Sequence, residues 1–145
     1  MSGNTDLLER VITLHNAGDL EGFLGLYADD AVVVTPEGAY KGRAAIRDYW
    51  YWVSVSFPGS TVTLGKAIEQ GDTIAFEYTW AGTNTGPLTL PDGTELPATG
   101  RRVEVRCIDL GQVRDGKLVV HHLYWDNLDF EAQLGVLPGT TTTSS

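Results

Sequence analysis

The stretch RRVEVRCIDLGQVRDGKLVVHHLYW, residues 101–125, reads as a long β-hairpin. In its first arm Val103, Val105, Cys107 and Asp109 fall on one face of an extended chain. Arg102, Glu104 and Arg106 fall on the other, which turns apolar at Ile108 and Leu110. Asp115-Gly116 is a strong signal for a two-residue hairpin turn, and Lys117 to Trp125 is the return arm. In that arm His121, Leu123 and Trp125 share a face, and His122, Tyr124 and Asp126 share the opposite one. Working back along the chain, Thr73 to Thr83 alternates, with Ile74, Phe76, Tyr78 and Trp80 on one face and Glu77 out of phase, towards solvent. Thr61 to Ile68 precedes it across a turn at Gln70-Gly71-Asp72. The second half of the chain is thus expected to be a meander of long antiparallel strands.

The first half follows a different period. Asp6 followed by Glu9 reads as a capping pair, and Leu8, Val11, Ile12 and His15 recur on one helical face. Asn16-Ala17-Gly18 ends that helix, and Asp19 caps a short second one carrying Leu20, Phe23, Leu24 and Tyr27. Ala28-Asp29-Asp30 is expected to turn into a strand, Ala31 to Thr35, ended by Pro36. Gly42-Arg43 opens a third helix with Ile46, Tyr49, Trp50, Val53 and Phe57 on its apolar face, ended by Pro58-Gly59. Leu128 to Leu134 is expected to form a short closing helix. Helices and strands that are segregated rather than alternating give an α+β class: a cone, in which a curved antiparallel sheet is wrapped by three helices around an apolar pocket. No linker or repeat divides the chain, so 1–138 is expected to be a single domain and 139–145 a disordered tail. Asn84 to Gly100, rich in Gly, Pro and Thr, is long enough to be a functional loop.

Composition narrows the function. The 145 residues include 42% hydrophobic and 20% charged, an ordinary globular balance, and the net charge is −9. An acidic chain repels phosphate, so neither nucleic acid nor an anionic membrane surface is an expected partner. No segment approaches the roughly 20 apolar residues of a membrane span, and the first ten residues do not resemble a secretory signal; a cytoplasmic protein is the expectation. Cys107 is the one cysteine, with no partner for a disulfide. There is no phosphate-binding glycine loop, no Gly-x-Ser-x-Gly and no His-Glu-x-x-His. His121 and His122, being adjacent on a strand, point to opposite faces and cannot share a metal. No metal and no cofactor are expected.

The informative residues are polar ones in apolar phase: His15, Tyr49 and Asp109. A carboxyl group buried at position 109 is suited to general acid/base work. A buried histidine or tyrosine is equally a core residue whose polar atoms find partners. Trp50, Trp52, Trp80 and Trp125 read as core or interface residues that would also suit a flat hydrophobic ligand.

Taken in order, His15-Asn16-Ala17-Gly18-Asp19, Tyr27-Ala28-Asp29-Asp30-Ala31, Gly42-Arg43-Ala44-Ala45-Ile46, Gly82-Thr83, Pro97-Ala98-Thr99-Gly100-Arg101, Asp115-Gly116-Lys117 and Tyr124-Trp125-Asp126 leading to Gln133-Leu134-Gly135 resemble the nuclear transport factor 2-like superfamily. Within it they resemble the SnoaL-like polyketide cyclases. The resemblance covers nearly the whole chain and is specific for the fold, not for a reaction. It implies a conical pocket and a homodimer packed through the sheet. The aspartate that SnoaL-type cyclases and epoxide hydrolases of this superfamily carry on the last strand falls on Leu123 here. The base of the steroid isomerases falls on Thr35, and their first-helix tyrosine on Val11. Asp109 falls within about one residue of the isomerases' oxyanion-binding aspartate and the cyclases' histidine, and His15 and Tyr49 match pocket-lining positions of the cyclases. Asp126 follows the catalytic position by three residues and reads as a cap for the last helix.

The resemblance therefore implies a cofactor-independent cyclisation or related acid/base step on a hydrophobic polyketide-like substrate. Asp109, His15 and Tyr49 would be catalytic, and Trp50, Val53, Phe76, Tyr78, His121, Leu123 and Trp125 would bind substrate. Two other readings remain open. One is an epoxide hydrolase or isomerase, which would recruit Glu77, Asp109 and Arg106. The other is a non-catalytic binding or assembly module, which Leu123, Thr35 and Val11 fit well.

Overall fold

A computed structural model describes residues 3–89 and 92–136. The elements run α1 (Gly3–Ala17), α2 (Leu20–Leu24), β1 (Tyr27–Thr35), β2 (Gly38–Lys41), α3 (Arg43–Ser56), β3 (Thr61–Gln70), β4 (Thr73–Thr83), β5 (Leu88–Thr89), β6 (Glu95–Leu96), β7 (Arg102–Arg114), β8 (Lys117–Trp125) and α4 (Asn127–Leu134). Six strands form one curved, open sheet in the order β2-β1-β8-β7-β4-β3, and β5-β6 is a separate two-stranded ribbon. The expected tail at 139–145 lies outside the described residues.

The long hairpin folds as its alternation dictates. Burial along β7 alternates strictly, with Val103, Val105, Cys107, Asp109, Gly111 and Val113 all inward. Asp115 and Gly116 both take positive φ, 54° and 75°, as a hairpin turn matched to the right-handed strand twist demands. The registers align inner-face rows across three strands: Phe76–Asp109–Leu123, Tyr78–Cys107–Trp125 and Ile74–Gly111–His121. Glu77 is exposed, as its phase required.

Four expectations need correction. The sheet is mixed rather than antiparallel, because β1 runs parallel to β8. The chain reaches that position through α1 and α2 and not through a hairpin, so nothing forces an antiparallel entry. Strand β1 starts at Tyr27, and Ala28-Asp29-Asp30 is an irregularity within it, where the register to β8 shifts between Tyr27 and Val32. The exposed carboxylate of Asp29 pairs there with Arg43 at 3.1 Å. The edge strand β2 was not anticipated: four residues that pair only with β1 leave no alternation to read. Helix α1 begins at Gly3, so Asp6 sits in its first turn rather than opening it.

The caps follow their chemistry. Asp19 accepts from the Gly22 backbone N–H at 2.9 Å, and Asp126 from Asp129 at 3.0 Å, which makes Asp126 the N-cap of α4. Asn16 pairs with both backbone groups of Val62, accepting at 2.7 Å and donating at 3.0 Å, and so docks the end of α1 on the edge of β3. The segment between β4 and β7 is organised by Asn84, which is fully buried. Its amide donates to the carbonyls of Ser56 and Gly86, and its Oδ1 accepts from the N–H and hydroxyl of Thr99.

Candidate functional site

The inner face of the sheet carries a buried polar chain. Asp109 stands opposite Leu123, and His121 opposite Gly111, so the two side chains are diagonal neighbours across β7 and β8. Gly111, lacking a side chain, lets Leu118 and Ile74 pack over the strand; a Cβ there would lie 3.0 Å from Leu118 Cδ2 and 3.5 Å from Ile74 Cγ2. His121 Nε2 lies 2.7 Å from Asp109 Oδ2, with each side chain only 3% exposed. Tyr78 donates to Asp109 Oδ1 at 2.9 Å, and Tyr27 Oη lies 2.7 Å from His121 Nδ1. One tautomer satisfies every group: Tyr27 donates to Nδ1, Nε2–H donates to the Asp109 carboxylate, and Tyr78 donates to its other oxygen. A nucleophile, imidazole and carboxylate in line follow the same logic in catalytic triads, although here phenols stand at both ends.

Burial pushes the Tyr27, Tyr78 and Tyr49 phenols up from their ordinary value. The nearby Asp109 adds to the effect at Tyr78, and Glu37 and Tyr40 add to it at Tyr49. All three therefore stay protonated and act as hydrogen-bond donors at neutral pH. Burial also pushes the Cys107 thiol up to about 12, which leaves it inert as a nucleophile.

In front of this chain lies a cavity of about 120 Å³ between α3 and the inner face of the sheet. Tyr49, Trp50, Trp52 and Val53 line it from α3, Tyr78 and Trp80 from β4, Val105 and Cys107 from β7, and Leu123 and Trp125 from β8. Phe130 of α4, Leu88 of β5, Tyr40 of β2 and Glu37 in the β1–β2 turn complete the wall. The expected site residues thus separate into three groups. Tyr49, Trp50, Val53, Tyr78, Leu123 and Trp125 line the cavity. Asp109 and His121 lie behind its wall and reach it through the Tyr78 hydroxyl, while Phe76 is buried in the same row as Asp109 and Leu123. His15 faces a second groove of about 330 Å³, where it lies 3.2 Å from the Ser60 hydroxyl. The Trp50 indole packs edge-on against His15 at 6.1 Å and against Tyr49 at 5.0 Å, so it stands between the two and keeps them in different cavities. Glu77 and Arg106 are exposed on the outer face, away from Asp109.

Three residues escaped the sequence reading. Tyr27 was placed on the helix before it, so its role at the end of the polar chain was invisible; the available signal was its place at the head of Tyr27-Ala28-Asp29-Asp30-Ala31, the motif that leads into the first strand. Asn84 looked like loop composition. Glu37, in a turn after proline, had the pattern of a solvated charge. Among the described residues, no group of three or more His, Cys, Asp or Glu side chains is arranged to hold a metal ion, and no helix is long and apolar enough to cross a membrane.

A SnoaL-like domain model matches residues 8–121, from the first helix into the middle of β8. The chain belongs to the SnoaL-like family. Solved structures agree. IdmH from Streptomyces antibioticus, described as a candidate polyketide cyclase, is 30% identical over 91% of this chain and 98% of its own, with a TM-score of 0.74. A candidate SnoaL-like polyketide cyclase from Jannaschia sp. CCS1 superimposes with a TM-score of 0.80 at 18% identity, over 94% of this chain and 93% of its own. AclR from Streptomyces galilaeus, described as a candidate hydroxylase, gives 0.78 at 22% identity, over 92% and 96%. The last two, at these identities, speak to the fold alone: the SnoaL-like chain has an α+β, nuclear transport factor 2-like fold.

Proposed function

We propose that this SnoaL-like protein catalyses a cofactor-independent cyclisation, or a closely related acid/base step, on a hydrophobic, carbonyl-rich, polyketide-like molecule. The observation that carries the reading is Tyr78, a residue of the aromatic cavity wall whose hydroxyl is hydrogen-bonded to the buried Asp109–His121–Tyr27 chain. As a substrate carbonyl becomes an enolate, negative charge builds on its oxygen. The Tyr78 O–H, turned from Asp109 towards that oxygen, meets the charge as a hydrogen-bond donor and keeps its proton, while Asp109 retains the donor from His121. Tyr49, also held protonated, offers a second donor. The indoles of Trp50, Trp80 and Trp125 fix the fold of a flexible chain, which is where much of the advantage in a cyclisation arises. His15, in the other groove, takes no part in this scheme. A description of IdmH as a candidate polyketide cyclase supports the substrate class.

A binding module is the second reading, favoured by one observation: both Asp109 oxygens are already occupied by protein donors. A thermal-shift screen of aromatic polyketides and terpenoids, followed by product analysis by liquid chromatography and mass spectrometry, separates the two. Compounds that raise Tm and emerge changed support the enzyme. Compounds that raise Tm and emerge unchanged support the binding module. An Asp109→Asn variant with full turnover removes Asp109 from the mechanism. Assembly as a homodimer through the outer face of the sheet belongs to the same proposal; Ile68, Ile108, Leu110 and Tyr124 are exposed there.

A further inference from the structure

Cyclisation through an enolate needs a base as well as a donor, and neither Asp109 nor His121 lines the cavity. Among the residues that do line it, Glu37 is the one carboxylate, and no Lys, Arg or His accompanies it. Its backbone is held in place: the Glu37 N–H donates to the Thr35 hydroxyl oxygen at 3.0 Å in the turn that joins β1 to β2. Its surroundings are the Tyr40 and Tyr49 rings, which pack 4.7 Å apart on β2 and α3, and Glu131 on α4. Glu131 is a like charge and the two tyrosines are uncharged, so nothing that faces the carboxylate neutralises it.

Resting on the reading above, we propose that Glu37 is the general base of the cavity and removes the proton from a carbon α to a substrate carbonyl. The C–H bond breaks and its proton goes to a Glu37 oxygen. The electron pair moves into the enolate, whose oxygen is met by the Tyr78 or Tyr49 hydroxyl. Return of the proton to the substrate, or to the leaving oxygen of a dehydration, restores the carboxylate. Burial, then the charge of Glu131, pushes the Glu37 carboxyl above its usual range, which makes it a stronger base than a solvated glutamate. The two polar systems divide the work: Glu37 takes a proton from carbon, and the Tyr78 or Tyr49 hydroxyl donates a hydrogen bond to oxygen.

The test uses 2-tetralone, a flat bicyclic ketone whose benzylic α-protons exchange with solvent. Loss of their NMR signal in D2O is followed with the full-length protein, and occupancy of the cavity is monitored by quenching of tryptophan fluorescence. The wild type is expected to accelerate exchange above the buffer rate, with an inflection above pH 4.5. Glu37→Gln is expected to lower that acceleration by about 100-fold or more, the range for one positioned base. Glu37→Asp should restore part of it, and Ser54→Ala, a change in the second groove, should leave it alone. Exchange that survives in Glu37→Gln but fails in Asp109→Asn overturns the role of Glu37 while the proposed function stands. A wild type that binds 2-tetralone without accelerating exchange overturns both. Stability supplies a second readout: because the folded state holds the Glu37 proton more tightly than the unfolded chain, the Glu37 contribution to stability is lost as pH rises from 4.5, and the stability difference between wild type and Glu37→Gln should change over that range. Identical pH profiles for the two would also overturn the placement of the carboxylate in a desolvated site.

Discussion

Replacing Asp109 by Asn tests the wiring of the buried chain, because the new amide keeps the shape and reverses one polarity. Its carbonyl can still accept from Tyr78, but its NH2 then faces His121 Nε2, where a proton already sits. The imidazole relieves the clash by moving its proton to Nδ1, which donates to the Tyr27 oxygen 2.7 Å away. The proton of Tyr27, whose side chain is fully buried, is then stranded. One stranded hydroxyl costs about 1–3 kcal/mol. Asp109→Leu strands both Tyr78 and His121 and should cost more, about 3–5 kcal/mol, the range for breaking a buried pair. Tyr27→Phe combined with Asp109→Asn should cost less than the sum of the single changes, by about 1 kcal/mol, since the stranded proton is gone in the double variant. The assay is urea denaturation at neutral pH followed by tryptophan fluorescence, with imidazole 15N shifts reporting the tautomer. If Asp109→Asn costs as much as Asp109→Leu, or if the imidazole proton stays on Nε2, the proton order assigned to the chain is wrong.

Asn84→Ala removes four side-chain hydrogen bonds at a site with no access to water and should destabilise the fold by about 3 kcal/mol or more, seen as a lowered urea midpoint; a loss under about 0.5 kcal/mol would show the loop is held elsewhere. Burial lowers the pKa of His15 from 6.5, so the unfolded chain takes up its proton first; the His15 contribution to stability should be steady above pH 6.5 and decline as pH falls below it, and the difference between wild type and His15→Gln in a pH series of denaturation curves should follow it. On the outer face, Leu110 is opposite Ala75 and His122 across the sheet, and Leu110→Lys should shift the protein towards monomer in sedimentation velocity without changing its far-ultraviolet dichroism.

The alternation of the inner face was legible in β4 and β7 because it has a period of two and a single one-residue slip would turn every buried side chain outward. That constraint placed Asp109 inward with Val103, Val105 and Cys107, and Tyr78 inward with Ile74 and Phe76. The face of His121 was not legible, since Val119-Val120-His121-His122-Leu123 is apolar in both phases at one end and polar in both in the middle. The parallel partner β1 resolved it, by covering that strand and setting Val33 beside His121. The separation of His15 from Tyr49 was likewise invisible: both lie on apolar helical faces, and only the packing of Trp50 between them decides which cavity each one meets.

By itself, then, the sequence determined the α+β class, the long hairpin and its turn, the caps at Asp19 and Asp126, and the phase that groups Asp109 with Val103, Val105 and Cys107, all of which depend on neighbours within a few residues or on strict periodicity. The tertiary structure alone decided which polar groups meet. Tyr27 and His121 are 94 residues apart, Tyr78 and Asp109 31 apart, and their hydrogen bonds follow from sheet order and register, which no local pattern encodes. It also decided that Glu37, a turn residue with the local pattern of a solvated charge, lines the cavity, because β1 and β2 meet α3 only once the helix is packed on the sheet.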